Sequence, residues 1–405
     1  MVERPELRKL VTYVPNKKAP IYNWFKFKEG FSRELVQMIL REGSIPKGSL
    51  VYDPFAGCGT TLLACKELGY RAIGVDILPV AVFVTKCKLR DYRNISRMNR
   101  AVDKLLSTTV KRPVSGFPEV PIVRKAFSPK TKSDIQFFKE TILKFPQPEQ
   151  SFLMLSLLSV LEEVSFTSKD GQFLRLVKKK VPELKDVLRV RLTAMLSNIA
   201  DQHDRFPSGN GDVDIIEGDA RSMDLPKTFK GKVSAVITSP PYLNRYDYSR
   251  TYALELLTLF VNSSEELRDV RHSLLRSHIE SREHAGKEIA LAALDEILEN
   301  LRSHSLNNER IPIMVKAYFE DMNQVFEAMS RQLKRDARVA LVVANARFEG
   351  EMVPVDLMLS ELAGRHGLKT EKIWVTRYKG NSSQQMARFG REPVRESIVF
   401  WRKVS

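Results

Sequence analysis

Cysteine is scarce in this 405-residue chain: Cys58, Cys65 and Cys87 are the only three, and no two are spaced as a CxxC pair. That excludes a disulfide framework and a zinc knuckle, and it fits a reducing cytoplasm. Long apolar runs are missing as well. The longest, FLMLSLLSV at 152–160, is too short to span a bilayer and reads as a buried helix. The first ten residues, MVERPELRKL, carry no apolar core of a secretory leader. Four of the six histidines, His272, His278, His284 and His304, fall between 263 and 310, but no two of them stand at i, i+4, so no metal site is expected. No internal repeat or low-complexity tract occurs. Acidic charge is the minority, 49 residues against 65 basic ones, giving a net charge of +16. A polyanion, and first of all nucleic acid, is the expected partner.

What is present is an alternation of strand and helix signals. FSRELVQMILRE (31–42) has apolar residues at helical spacing. A short strand at 49–52 breaks at DPFAGCGTT (53–61), a helix follows to 69, and RAIGVDI (71–77) is a second strand. Strand, glycine-rich turn, helix and strand make a βαβ unit of a parallel sheet. Strands are predicted again at 212–216, 232–238, 338–345, 369–377 and 396–402, with helices at 315–334 and 355–365. No helix separates the last two strands, so one of them enters antiparallel. The expectation is an α/β doubly wound sheet of seven strands, the last antiparallel, with two helical insertions. It divides as 1–92 (first catalytic part), 93–211 (insertion), 212–262 (second catalytic part), 263–310 (second insertion) and 311–405 (C-terminal catalytic part).

Two corners carry the chemistry. Gly57 and Gly59 stand between a strand and a helix, where glycine allows positive φ and close approach of a ligand to the backbone. Asp76 ends the next strand, a position suited to binding the two hydroxyls of a ribose. The turn matches neither GxGxxG nor GxxxxGK[ST], so a dinucleotide fingerprint and a P-loop are both excluded. The second corner, TSPPY (238–242), ends an apolar strand with a small hydroxyl residue, two prolines and an aromatic.

In this order the two corners resemble the first and fourth motifs of the S-adenosylmethionine-dependent DNA amino-methyltransferases, and SPPY is most typical of the cytosine-N4 branch. YNWFKFKEGFS (22–32) resembles the segment that closes over the cofactor, and EGDARSMD (217–224) the acidic segment that reaches the adenine. The resemblance implies that Phe55, Gly57 and Gly59 line the methionine and ribose side. It places Asp53 near the methionine amine, Asp76 at the ribose and Asp219 at the adenine N6, with Phe27 and Phe31 closing over the cofactor. Asp53 could equally be a turn carboxylate capping backbone amides, Asp219 a turn or cap residue, and Phe27 and Phe31 plain core.

The SPPY residues make chemical sense of that reading. An exocyclic amine is a poor nucleophile because its lone pair is delocalised into the ring. The Ser239 hydroxyl and the Pro240 carbonyl could accept its two N–H bonds and make the nitrogen more tetrahedral. Pro240 and Pro241 hold the carbonyl's direction, and Tyr242 offers a face to a flat base extruded from the duplex. Methylation at cytosine carbon 5 would use a cysteine in a Pro-Cys pair, and this chain has none. Serine at the first position favours cytosine N4 over adenine N6. An RNA base, or a nucleic-acid-binding protein that has lost activity, are the rival readings. Contacts to double-stranded DNA are expected from Arg93 and Arg97 in a basic run, from Arg245 and Arg250 past the SPPY corner, and from Arg377, Tyr378, Lys379, Arg388 and Arg391 between the last strands. The long insertion precedes EGDA instead of following it, a departure that leaves open which insertion reads the target. A restriction-modification setting, with a cognate endonuclease as partner, is the natural one for the resemblance.

Overall fold

The structure, a computed structural model, describes residues 1–169, 174–205, 212–281, 288–380, 388–390 and 392–404. Its centre is an eight-stranded sheet. In chain order the strands are β1 (Val2–Glu3), β2 (Leu50–Asp53), β3 (Arg71–Asp76), β4 (Val213–Glu217), β5 (Val233–Thr238), β6 (Leu333–Ala344), β7 (Leu368–Lys379) and β8 (Val394–Lys403). Across the sheet they run β1-β7-β8-β6-β5-β2-β3-β4. Every neighbouring pair is parallel except those made by β8, which is antiparallel to both β7 and β6. The expected doubly wound sheet and its one reversed strand are therefore present. The eighth strand is an addition: Val2 and Glu3 pair with Trp374 and Val375 on the outer edge, and two residues are too few to leave a periodic signal. The strand β6 also begins earlier than the apolar run suggests, because exposed Lys334, Arg335 and Asp336 are carried into it, Asp336 with φ of 62°.

Side chains alternate across the sheet as a strand period of two requires. Ala235 and Ile237 of β5 and Ala340 and Val342 of β6 face α1 (Arg33–Glu42) and α2 (Thr60–Leu68). Val236, Val339, Leu341 and Val343 face the opposite layer, built by α10 (Ala292–Ser303), α11 (Ile311–Ser330) and α12 (Val355–Arg365). Residues 263–310 thus supply Leu294, Ile297, Leu298 and Leu301 to the core of the sheet itself. The long insertion builds a second core around the end of α3 (Pro79–Leu89), from α4 (Ile95–Ser107), α5 (Pro129–Ile142), α6 (Glu149–Val160) and α7 (Leu184–Arg205). It is not wholly helical: Thr167–Ser168 and Arg175–Leu176 pair as a small antiparallel ladder. The short α8 (Ala253–Leu259) packs on this core, and α9 (Ser264–Ser273) follows it.

Candidate active site

The two motif corners leave the carboxyl ends of adjacent strands, β2 and β5, and are bolted together. Asp53 Oδ1 accepts from the Thr238 hydroxyl at 2.6 Å and from the Phe55 amide at 3.1 Å, and the Thr61 hydroxyl donates to the Ile237 carbonyl at 3.3 Å. Asp53 is thus a turn carboxylate that caps a backbone amide, and it also lines the adjoining cavity. Burial pushes its carboxyl up to about 6 against these donors. Asp76, at the end of β3, is likewise pushed up to about 6 by burial, although it accepts from the amides of Gly57 at 2.7 Å and Leu78 at 2.9 Å. The intervening turn depends on glycine. Gly59 has φ of 80°, and a Cβ there would stand 2.6 Å from Thr85 Cγ2. Gly57 has φ of 52° and lies against the Phe27 ring.

One deep cavity runs over these residues. Asp53, Phe55, Gly57, Asp76, Asp219, Phe27 and Phe31 all line it, so the structure gathers the expected cofactor set in one place, with Gly59 shaping the turn behind. Phe27 stacks on Tyr252, centroids 5.0 Å apart, and on Tyr248 at 6.3 Å; it and Phe31 are core and cavity wall at once. Asp219 is engaged by Arg221, which also bonds Asp321 at 3.1 Å and the Ser273 carbonyl at 2.7 Å.

The SPPY corner separates this cavity from a second one. Ser239 and Pro241 line the first, whereas Pro240 and Tyr242 line the second, and Glu29, Gly30 and Tyr248 border both. The corner is therefore the partition between two adjoining spaces. The Ser239 hydroxyl donates to the Val342 carbonyl at 3.1 Å, which leaves its lone pairs available to accept. Tyr242 donates to Glu396 Oε1 at 3.0 Å, and Glu396 also pairs with Arg377 and, at 2.5 Å, with Lys379. The Lys379 ammonium sits 5.2 Å from the Tyr242 ring centroid, so one aromatic face already has a cation over it.

A family model described as DNA methylase matches residues 8–85. The type II methyltransferase M.BsoBI of Geobacillus stearothermophilus is 35% identical over 98% of this chain and 88% of its own length. The type II methyltransferase M.AvaI of Nostoc sp. is 32% identical over 98% of this chain and 89% of its own length. The chain belongs to the S-adenosylmethionine-dependent DNA amino-methyltransferases. The type II methyltransferase M.MvaI of Kocuria varians is similar at a greater distance, 22% identical over 80% of this chain and 76% of its own. The cavity suits the methyltransferase's cofactor: a glycine turn at a helix start, a strand-end carboxylate and an aromatic wall meet in it.

The basic residues expected to meet DNA are, in this methyltransferase, mostly tied to carboxylates. Arg97 pairs with Glu149, Arg93 with Asp91 at 3.1 Å, Arg250 with Glu280 at 2.7 Å and Arg388 with Glu349 at 3.4 Å. Arg245, at φ of 66°, bonds Asn307 at 3.2 Å and lies over the Phe348 ring at 5.5 Å. Tyr378 is exposed and donates to Glu3 at 2.7 Å. Arg391 lies outside the described residues. Arg377 and Lys379 are the two that line the second cavity.

Several site residues carry no local sequence signal. Glu29 accepts from Tyr246 and from Tyr252, the latter at 2.7 Å, and so ties the segment before the first motif to the one after SPPY. Ser273, Leu274, Leu275, Ser277 and His278, from the second of the two expected insertions, line the cofactor cavity. Glu396 could have been noticed, as a charge inside the apolar β8 pattern. Among the described residues, Asp247, His278 and Glu280 are close enough to hold a metal ion. Arg271 and Arg250 already neutralise the two carboxylates, which disfavours a cation there.

Proposed function

We propose that this DNA methyltransferase acts on the N4 amine of cytosine, extruded from double-stranded DNA into the cavity behind Pro240. The observation that carries this is the SPPY partition, with serine at its first position. The bound cofactor supplies an electrophilic methyl group on a cationic sulfur. The chain's part is to hold that group on one side of the corner and the amine on the other. Asp53, Phe55, Gly57, Gly59, Asp76 and Asp219, under Phe27 and Phe31, form the cofactor side. The Ser239 hydroxyl and the Pro240 carbonyl accept the two N–H bonds, and the nitrogen lone pair then points through the partition. Tyr242, with the Glu396, Arg377 and Lys379 group, shapes the base side. The extended basic surface, including Arg93, Arg97, Arg245, Arg250, Tyr378 and Arg388, follows the phosphates. Its internal ion pairs make that contact an exchange of partners.

The three relatives named above all carry type II names, which supports a restriction-modification setting with a cognate endonuclease. Among the described residues no helix is long and apolar enough to cross a membrane, and a cytoplasmic enzyme is the reading we adopt. The test is to incubate unmodified genomic DNA with the purified protein and labelled cofactor, then digest it and separate the nucleosides by mass spectrometry. Label in N4-methylcytosine is expected. Label in N6-methyladenine would keep the fold and overturn the base assignment, and label confined to added RNA would overturn the substrate.

A further inference from the structure

His278 is wholly buried, yet neither ring nitrogen has a hydrogen-bond partner among the described residues. Buried polar atoms are rarely left so, because each has given up water without a replacement. His278 and its neighbour Ser277 are both lining residues of the cofactor cavity. The segment that carries them is anchored along its length. The Ser273 carbonyl accepts from Arg221 at 2.7 Å, Arg276 clamps Asp321 at 2.7 Å, and the Ser277 carbonyl accepts from the Arg245 amide at 3.1 Å. It thus spans from the residues after β4 to those after β5, along the lining of the cavity.

The neighbours of the ring are already engaged. Asp247 accepts from the Ser249 hydroxyl at 2.6 Å, the Arg250 amide at 3.2 Å and Arg271 at 2.7 Å. Glu280 holds Arg250 at 2.7 Å. Burial keeps the imidazole's affinity for a second proton low, against the pull of Asp247 and Glu280. A neutral ring offers one donor and one acceptor. We propose that His278 is a cofactor-binding residue, whose ring hydrogen-bonds a polar group of the S-adenosylmethionine held in this cavity. The inference rests on the assignment of the cavity to the cofactor. It also gives residues 273–278, from a segment outside the two motifs, a direct part in forming the site.

A histidine that merely packs and one that waits for a ligand differ in the signs of two measurements. For His278→Phe, calorimetric affinity for S-adenosylhomocysteine should fall about tenfold or more, the usual worth of one well-made buried hydrogen bond. The thermal midpoint of the ligand-free protein should stay level or rise, because an unpartnered polar group has been removed. His278→Gln, which keeps a donor and an acceptor, should recover part of the affinity. Unchanged affinity in His278→Phe would overturn the proposal. So would a fall in both affinity and ligand-free midpoint that His278→Gln does not repair. Failure of the wild-type protein to bind would instead refute the cofactor assignment of the cavity, an outcome separable from either.

Discussion

Replacing Thr238 by valine removes the hydroxyl that joins the two motif corners while nearly keeping the side-chain volume. In the wild type that hydroxyl donates to Asp53 at 2.6 Å, inside a site where burial has raised the carboxyl to about 6. An acid raised from 3.8 to about 6 on folding favours the folded state below 3.8, and that contribution is lost as pH rises through about 6. The Thr238 bond limits that loss, since it stabilises the ionised form. A hydrogen bond to a buried charge is worth about 1.5–3 kcal/mol, or roughly one to two pH units. Thr238→Val should therefore cost about 2 kcal/mol at pH 8, where Asp53 is ionised, and about 1 kcal/mol or less at pH 5, where it is protonated. The Asp76 carboxyl titrates in the same range but is common to both proteins, so its contribution cancels to first order. Urea unfolding followed by tryptophan fluorescence at the two pH values gives both differences. An equal loss at both, or a larger one at pH 5, would refute the claim that Thr238 holds the Asp53 charge.

Two further substitutions probe the cofactor turn. Gly59→Ala places a methyl group 2.6 Å from Thr85 on a backbone at φ of 80°. We expect a stability loss above about 1 kcal/mol from the backbone alone, and weaker cofactor binding by calorimetry because the turn must shift. In the role proposed for it, Asp76 accepts from ribose hydroxyls, and its raised carboxyl is ionised only above about 6. Cofactor affinity should therefore climb between pH 5 and 7, with proton release. Asp76→Asn should be weaker at every pH and lose its share of the climb, and an unchanged pH profile would remove Asp76 from the ribose.

The parts of this enzyme that were legible in its sequence are those encoded by neighbouring residues. DPFAGCGTT and RAIGVDI lie within one βαβ unit, so turn, helix start and strand-end carboxylate could be placed together. The reversed last strand followed from a connection whose sequence carries no helical pattern. Glu29, Tyr248, His278 and Glu396 reach the cavities from four distant segments, and nothing local marks their convergence. Charge gave no sign of its folded partners. Arg97 was singled out from a basic run and Arg250 from its place past SPPY, and their pairs with Glu149 and Glu280 form only on folding. The double role of Phe27 and Phe31 was equally hidden, because a wall residue and a core residue look alike until the cavity exists.

The claim at the centre of this account is that the SPPY corner performs the transfer and does not merely end a strand. Single-turnover methylation of a duplex by Ser239→Ala, paired with calorimetry of cofactor binding, tests it most directly. The account predicts a rate lowered by about two orders of magnitude, in line with losing one preorganised hydrogen-bonding group, with cofactor affinity within about twofold of the wild type. A rate close to wild type, or equal losses in rate and affinity, would contradict it.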